Sequence, residues 1–315
     1  MDPRGFYLVN QQFEQSRSLK KKFAAYREFA KSGIVTLVLI SVLGGYLAGQ
    51  SFEVPFSASR LTLTLLGILL LASGSSALNQ WQERKIDARM PRTKNRPLPS
   101  GRLTSAEALA FIAVTLFFGL TILFSLSLEL GILGVMAVVS YNGLYTTWWK
   151  QKMAFAAVPG AIPGALPILM GYLAANGDVW SPGGWYLFSL LFFWQMPHFW
   201  VLALKYRDDY RDGDIPTLPV SLGERITRKQ ITVWGLAYIG ISFMAPLFMP
   251  VGNIYLLSAV LTGAWVGYEL FRFWIRPEGK SWLRFFLSIN FSLVAYIGFI
   301  VADLWFVHAI PSLTQ

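Results

Sequence analysis

Nine apolar runs, each close to the roughly 20 residues needed to cross a bilayer as a helix, constrain this 315-residue chain more than any other feature. They fall at about 33–50, 60–80, 105–126, 128–147, 154–174, 184–205, 230–250, 253–272 and 285–307. Because hydrocarbon offers no partner to a free amide, only helices or a closed barrel can span it. The runs are continuous rather than alternating, which excludes the barrel. The expected fold is therefore an all-α polytopic membrane protein of about nine helices, and a composition 54% hydrophobic and 14% charged agrees.

The basic residues test the span count independently, because lysine and arginine collect in short cytoplasmic loops. With nine spans, 26 of 27 fall on one side and Arg60 alone on the other, which puts the N-terminus inside and the C-terminus outside. The sequence divides into a basic cytoplasmic arm (1–30), an intramembrane domain (31–308) and a short outer tail (309–315). Two long polar loops, after the second and sixth spans, lie on the basic side where both could cap one cavity. Their spacing is compatible with two four-helix halves plus a ninth helix. The net charge of +10 is spread by topology over loops, so it does not indicate nucleic acid. The absence of cysteine removes disulfides, thiolate metal sites and thiol catalysis. No cleavable signal is expected, because the first apolar run leads straight into further spans. Asp2, Glu14 and Glu28 in the arm argue against a mitochondrial transit peptide and favour a bacterial cytoplasmic membrane.

Chemistry concentrates at the end of the second run. Asn79, Glu83 and Asp87 are four residues apart, so on a helix each step drifts about 40° and all three share one stripe about 12 Å long. Hard oxygen ligands of this kind suit Mg²⁺, which keeps several waters and accepts one or two carboxylates plus phosphate oxygens. The segment Arg92-Thr93-Lys94-Asn95-Arg96-Pro97-Leu98-Pro99 follows, in which prolines restrict the backbone that carries Arg92, Lys94 and Arg96. A stiffened cationic loop beside a carboxylate stripe describes a metal-diphosphate site; topogenic charge is the competing account. Arg84, Lys85 and Arg89 lie on other faces and read as headgroup contacts. The second polar loop holds Lys205, Asp208, Asp209, Asp212 and Asp214, of which Asp208 and Asp209 stand nearest the span end. His198 sits beside Pro197 within an aromatic span, where an ionisable group is a functional candidate and a packed core histidine is the alternative. His308, near Asp303, reads as interfacial.

The stretch Asn79 to Met90 with Arg92 to Pro99 resembles the first signature of the UbiA-type intramembrane prenyltransferases. Trp194-Gln195-Met196-Pro197-His198-Phe199 and Ile215-Pro216-Thr217-Leu218-Pro219-Val220 are similar to the heme-farnesylating branch of that family. The resemblance covers about residues 26–307. It implies a helical bundle around a central cavity, and transfer of farnesyl from farnesyl diphosphate to a vinyl group of heme B, with water added, giving heme O and diphosphate. It further implies that Asn79, Glu83 and Asp87 organise Mg²⁺, that Arg92, Lys94 and Arg96 hold diphosphate oxygens, and that Asp208 or Asp209 completes the metal site. His198 would then lie on the heme side. By the same analogy Lys205 belongs to the substrate-binding set, membrane lipid surrounds the chain, and a heme A synthase is a candidate partner.

Three positions depart from the family pattern. Glu83 replaces the usual aspartate, Lys205 stands where quinone-type relatives carry an aspartate, and Tyr145 to Lys152 only partly matches the family's basic loop. Prenylation of an aromatic quinone precursor is the nearest rival activity, and transport is the rival from another class.

Overall fold

The computed structural model describes residues 19–50, 55–276 and 280–309. Most of the expected arm and the tail beyond 309 lie outside these residues, as does the side chain of His308. Among the described residues there is no strand. The helices are α1 (19–29), α2 (Ser32–Gly49), α3 (Ala58–Asp87), α4 (Ser105–Leu126), α5 (Leu128–Lys152) and α6 (Ala157–Asn176). They continue with α7 (Pro182–Lys205), the short α8 (Arg207–Asp212) and α9 (Leu218–Ser221), α10 (Gly223–Ser242), α11 (Asn253–Ile275) and α12 (Lys280–Ala309).

The packing is that of a protein dissolved in lipid. Large apolar side chains such as Leu37, Phe117 and Leu261 are more than half exposed, while Asn79, Glu83 and Asp87 are buried. Among the described residues eight helices are long and apolar enough to cross a membrane. α10 is the ninth long helix among the described residues, and its first two turns carry Glu224, Arg225, Arg228 and Lys229. The run expected at 230–250 is shorter at its far end, because α10 stops at Ser242. There the hydroxyls of Tyr186 and Tyr255 both donate to the Ser242 carbonyl, at 3.3 and 2.5 Å. A helix end inside hydrocarbon needs such partners for the carbonyls that lose their amides.

α6 is the central helix. One of its faces (Ala161, Ala165, Ile168) packs into a core built with α7 and α10–α12, and another (Leu166, Leu169, Met170) into a core built with α2, α3 and α5. Backbones approach closely between α2 and α6, where an added Cβ on Gly45 would overlap the carbonyl of Ile168 and one on Gly171 the carbonyl of Val42. This is small-residue packing, which substitutes close van der Waals contact for the hydrophobic drive that lipid cannot supply. Pro163 and Pro167 interrupt the same helix where it borders the main cavity.

Local signals set the ends. Thr104 and Glu107 form a reciprocal capping box at the start of α4, and Ser127 alone separates α4 from α5 while capping the latter. α5 is α-helical over Leu128–Val138 and takes the wider π turn over Val139–Trp149. Such a stretch re-aims side chains and recurs at functional sites.

Candidate active site

A cavity of about 450 Å³ opens at the basic end of the bundle. Its charged mouth is formed by Lys31, Asn79, Glu83, Asp87, Arg92, Arg96, Lys150 and Tyr210, and its deeper wall by apolar groups including Val38, Ile68, Leu71, Ala137, Met170 and Phe199. The stripe Asn79–Glu83–Asp87 thus reaches one space, as four-residue spacing on α3 requires.

The facing wall is α5. Ser75 Oγ pairs with Asn142 Oδ1 at 2.5 Å, Asn79 Nδ2 donates to Thr146 Oγ1 at 3.1 Å, and Lys150 Nζ donates to Glu83 Oε1 at 2.5 Å. Each rung joins residues 67 apart, so α3 and α5 run parallel with a ladder of three polar contacts between them. On α3 the rungs climb by four residues on an α-helix; on α5 they climb by four through the π stretch. Tyr141 and Tyr145 occupy the neighbouring face of α5, with rings stacked at 5.9 Å and both lining the cavity.

Every acidic or amide group of the stripe carries a cationic partner. Arg96 Nη1 donates to both oxygens of the fully buried Asp87, at 2.8 and 2.7 Å, and Thr93 Oγ1 donates to the Asp87 carbonyl. Lys31 Nζ donates to Asn79 Oδ1 at 2.6 Å. Lost solvation, and then the nearby Arg96 and Lys150 charges, push the Lys31 ammonium down to about 7. With Arg92 included, four cations face two carboxylates across this mouth. The surplus positive charge suits a polyanion with an apolar tail. Among the described residues no three acidic or histidine side chains converge as a metal cage. The oxygens of Asn79, Glu83 and Asp87 are nonetheless of the hard type that Mg²⁺ accepts alongside phosphate.

The UbiA prenyltransferase family matches residues 38–294. The chain belongs to that family. It is 44% identical over 286 residues to the protoheme IX farnesyltransferase of Bdellovibrio bacteriovorus, covering 90% of this chain and 98% of the relative. It is 38% identical to the enzyme of that name from Aquifex aeolicus, covering 89% and 94%. Solved UbiA-type structures share the fold. A digeranylgeranylglyceryl phosphate synthase superposes with a TM-score of 0.74 at 17% identity, over 90% of this chain and 98% of that one. A UbiA homologue from Archaeoglobus fulgidus bound to GPP and Mg²⁺ gives 0.64 at 14%, over 88% and 99%.

The UbiA-type cavity does not gather every residue the sequence nominated. Lys94 is exposed, and neither it nor Lys205, Asp208, Asp209 or His198 lines the cavity. Asp209 reaches the site only through Arg92, at 3.5 Å, while the Tyr206 ring supports the same guanidinium at 5.0 Å. Asp208 is turned outward and pairs with Arg211 at 2.6 Å; Asp214 does so with Arg89. On the short helix α8 adjacent residues point about 100° apart, so only one of the two aspartates can turn inward. Asp209 is the one that does. His198 stacks between Trp194 (4.5 Å) and Phe286 (5.2 Å) and faces α12, whereas Gln195 and Phe199 on the same helix face the cavity. Lys205 lies over the ring of Trp282 in a different pocket.

The sequence marks Tyr145 and Lys150 only as part of a loop that partly matches the family's basic loop, and it gives Lys31, Tyr141 and Tyr210 no place in the site. Lys31 and Lys150 were counted as topogenic. The available signal was Asn142, Thr146 and Lys150, which repeat the four-residue step of the carboxylate stripe.

Proposed function

We propose that this chain transfers a farnesyl group from farnesyl diphosphate to a vinyl group of heme B, with addition of water, giving heme O and diphosphate. The observation that carries the donor half is the shape of the cavity: a mouth of four cations and two carboxylates above an apolar body, sized and charged for a prenyl diphosphate. The acceptor half rests on relatives named protoheme IX farnesyltransferase at 44% and 38% identity over nearly their whole length.

In this reading Lys31, Arg92, Arg96 and Lys150 bind the diphosphate, and Asn79, Glu83 and Asp87 would hold Mg²⁺. When bound, that ion offsets the negative charge that develops on the departing diphosphate. Since cations outnumber carboxylates at the mouth, Asn79, Glu83 and Asp87 would hold that ion together with oxygens of a bound diphosphate rather than by themselves. Asp209 is a positioning residue, acting through Arg92. The stacked Tyr141 and Tyr145 and the apolar wall surround the allylic carbon, keep stray water from it and present ring faces to its positive charge. The carbon–oxygen bond to diphosphate breaks, the vinyl carbon bonds to farnesyl, water adds to the cation left on the acceptor, and one proton is released.

The same reading places the protein in a bacterial cytoplasmic membrane, with residues 31–308 as one intramembrane domain, residues 1–30 as a cytoplasmic arm and a heme A synthase as a consumer of the product. The test is chromatography of hemes extracted from membranes of a heme O-deficient host. Heme O should appear with the wild-type chain. Asp87→Asn should lower it at least ~10²-fold, the effect of a carboxylate worth a few kcal/mol in the transition state, whereas Glu83→Asp retains activity. Farnesyl-diphosphate turnover with a quinone precursor and none with heme would overturn the acceptor; absence of turnover with either would overturn the enzyme.

A further inference from the structure

We propose that a second pocket, between α7, α10, α11 and α12, binds the oxyanion headgroup, phosphate or carboxylate, of a membrane amphiphile. The pocket has a volume of about 250 Å³ and shares no lining residue with the main cavity. Among the described residues its rim carries Lys205, Arg207 and Arg228 against the carboxylate of Glu224, and its floor includes Phe273 and Trp282.

The rings are fixed before any ligand arrives. Trp282 Nε1 donates to the Val201 carbonyl at 2.9 Å, and Phe273 is buried and stacks on Phe285 at 5.3 Å. Each ring holds a cation over its face: Lys205 Nζ lies 5.4 Å from the Trp282 centroid and the Arg228 guanidinium 5.7 Å from that of Phe273. Arg228 gives one nitrogen to Glu224 at 3.0 Å, but its buried Nε has no hydrogen-bond partner. A buried donor with no acceptor in the protein is free to take one from a ligand. Side-chain ordering has already been met by the fold, so an oxyanion entering here completes an existing arrangement.

Location decides what carries the anion. α7 and α11 end here and α10 and α12 begin here, so the pocket sits at the basic end of the bundle, where headgroups meet the protein. An apolar floor beneath a cationic rim fits a molecule with a greasy body and an anionic head better than a free ion. The pocket lies on the side of α7 turned from the cavity; between Lys205 and Arg207, Tyr206 points back to support Arg92.

The test uses the full chain in zwitterionic micelles. Native mass spectrometry counts retained phosphatidylglycerol against phosphatidylcholine, and a fluorescence titration compares protoporphyrin IX with its dimethyl ester. The porphyrin arm alone rests on heme being the acceptor. The wild type should prefer the anionic member of at least one pair by about tenfold or more, and Arg228→Gln should abolish that preference while Arg228→Lys keeps most of it. Farnesyl-diphosphate affinity should stay within twofold in both variants, which also certifies their folding. The responding pair identifies the amphiphile: a lipid response without a porphyrin response supports the pocket and leaves the heme reading untouched. No anionic preference in either pair, undiminished preference in Arg228→Gln, or parallel loss of farnesyl-diphosphate binding would each overturn the proposal.

Discussion

Removing either partner of the Glu83–Lys150 rung should be far more harmful than removing both, and unequally so. At 2.5 Å and an effective dielectric of about 20 the two charges attract by about 7 kcal/mol. Glu83 is 5% and Lys150 17% exposed, so desolvation of several kcal/mol per ion consumes most of that attraction, and the intact pair adds little net stability. A lone charge left in the same place keeps its desolvation cost, about 3–5 kcal/mol. Glu83→Gln strands Lys150 in a mouth already lined by Lys31, Arg92 and Arg96, so its loss should lie near the upper figure. Lys150→Met leaves Glu83 with Lys31 and Arg96 for company, so its loss should lie near the lower figure or below. The double variant strands no charge and should cost less than either single, so it should recover about 5 kcal/mol or more relative to the sum of the singles. Equilibrium unfolding in mixed micelles, run as a double-mutant cycle, measures all three. Additivity within about 0.5 kcal/mol, or a larger loss for Lys150→Met than for Glu83→Gln, refutes the reasoning.

Three further outcomes are expected. His198→Ala should leave farnesyl-diphosphate affinity and heme O formation per folded molecule within about threefold, because the ring faces α12; a larger fall in heme O alone would place the acceptor on that face. Gly45→Ala should cost about 1–3 kcal/mol by pressing a methyl group on the Ile168 carbonyl, whereas Gly33→Ala on the same helix, with nothing within 4 Å, should not destabilise. Equal melting temperatures for the two would dismiss the close α2–α6 contact. In the cysteine-free chain, a cysteine at Gly101 or Ser221 should label from the cytoplasm and one at Asn176 from outside, and reversed labelling would invert the orientation.

The helices were legible because a bilayer imposes one length and one composition on each span. The exception is informative. α10 starts at Gly223 and ends at Ser242, yet hydropathy places the run downstream, because Arg225, Arg228 and Lys229 depress its first turns while Phe243 to Phe248 extend the apolar signal past the real end. The local mark of the true end is Pro246, which has no amide to give the Ser242 carbonyl; the tyrosine hydroxyls that take that carbonyl instead come from α7 and α11. At the site, Asn79, Glu83 and Asp87 were legible through their spacing. Lys31 and Lys150 were not, because they approach Asn79 and Glu83 from 48 and 67 residues away, and a lysine at the basic end of a span looks the same whether it faces headgroups or substrate. The Asp208–Asp209 pair needed a helix phase that six residues cannot announce.

The ladder between α3 and α5 also bears on how such proteins can be recombined. Its rungs tie Ser75 to Asn142, Asn79 to Thr146 and Glu83 to Lys150 at a constant offset of 67 residues. A chimera that takes one rail from a relative whose rung residues differ and keeps the other disturbs up to three contacts at once, and a single-residue insertion between the rails' first and last rungs turns the remainder off the shared face. The two segments are separated by a polar loop and the whole of α4, yet they constitute one unit of inheritance. Exchange will be tolerated when both rails travel together with α4, whose Gly119 comes so close to α3 that an added Cβ would overlap the Leu71 backbone.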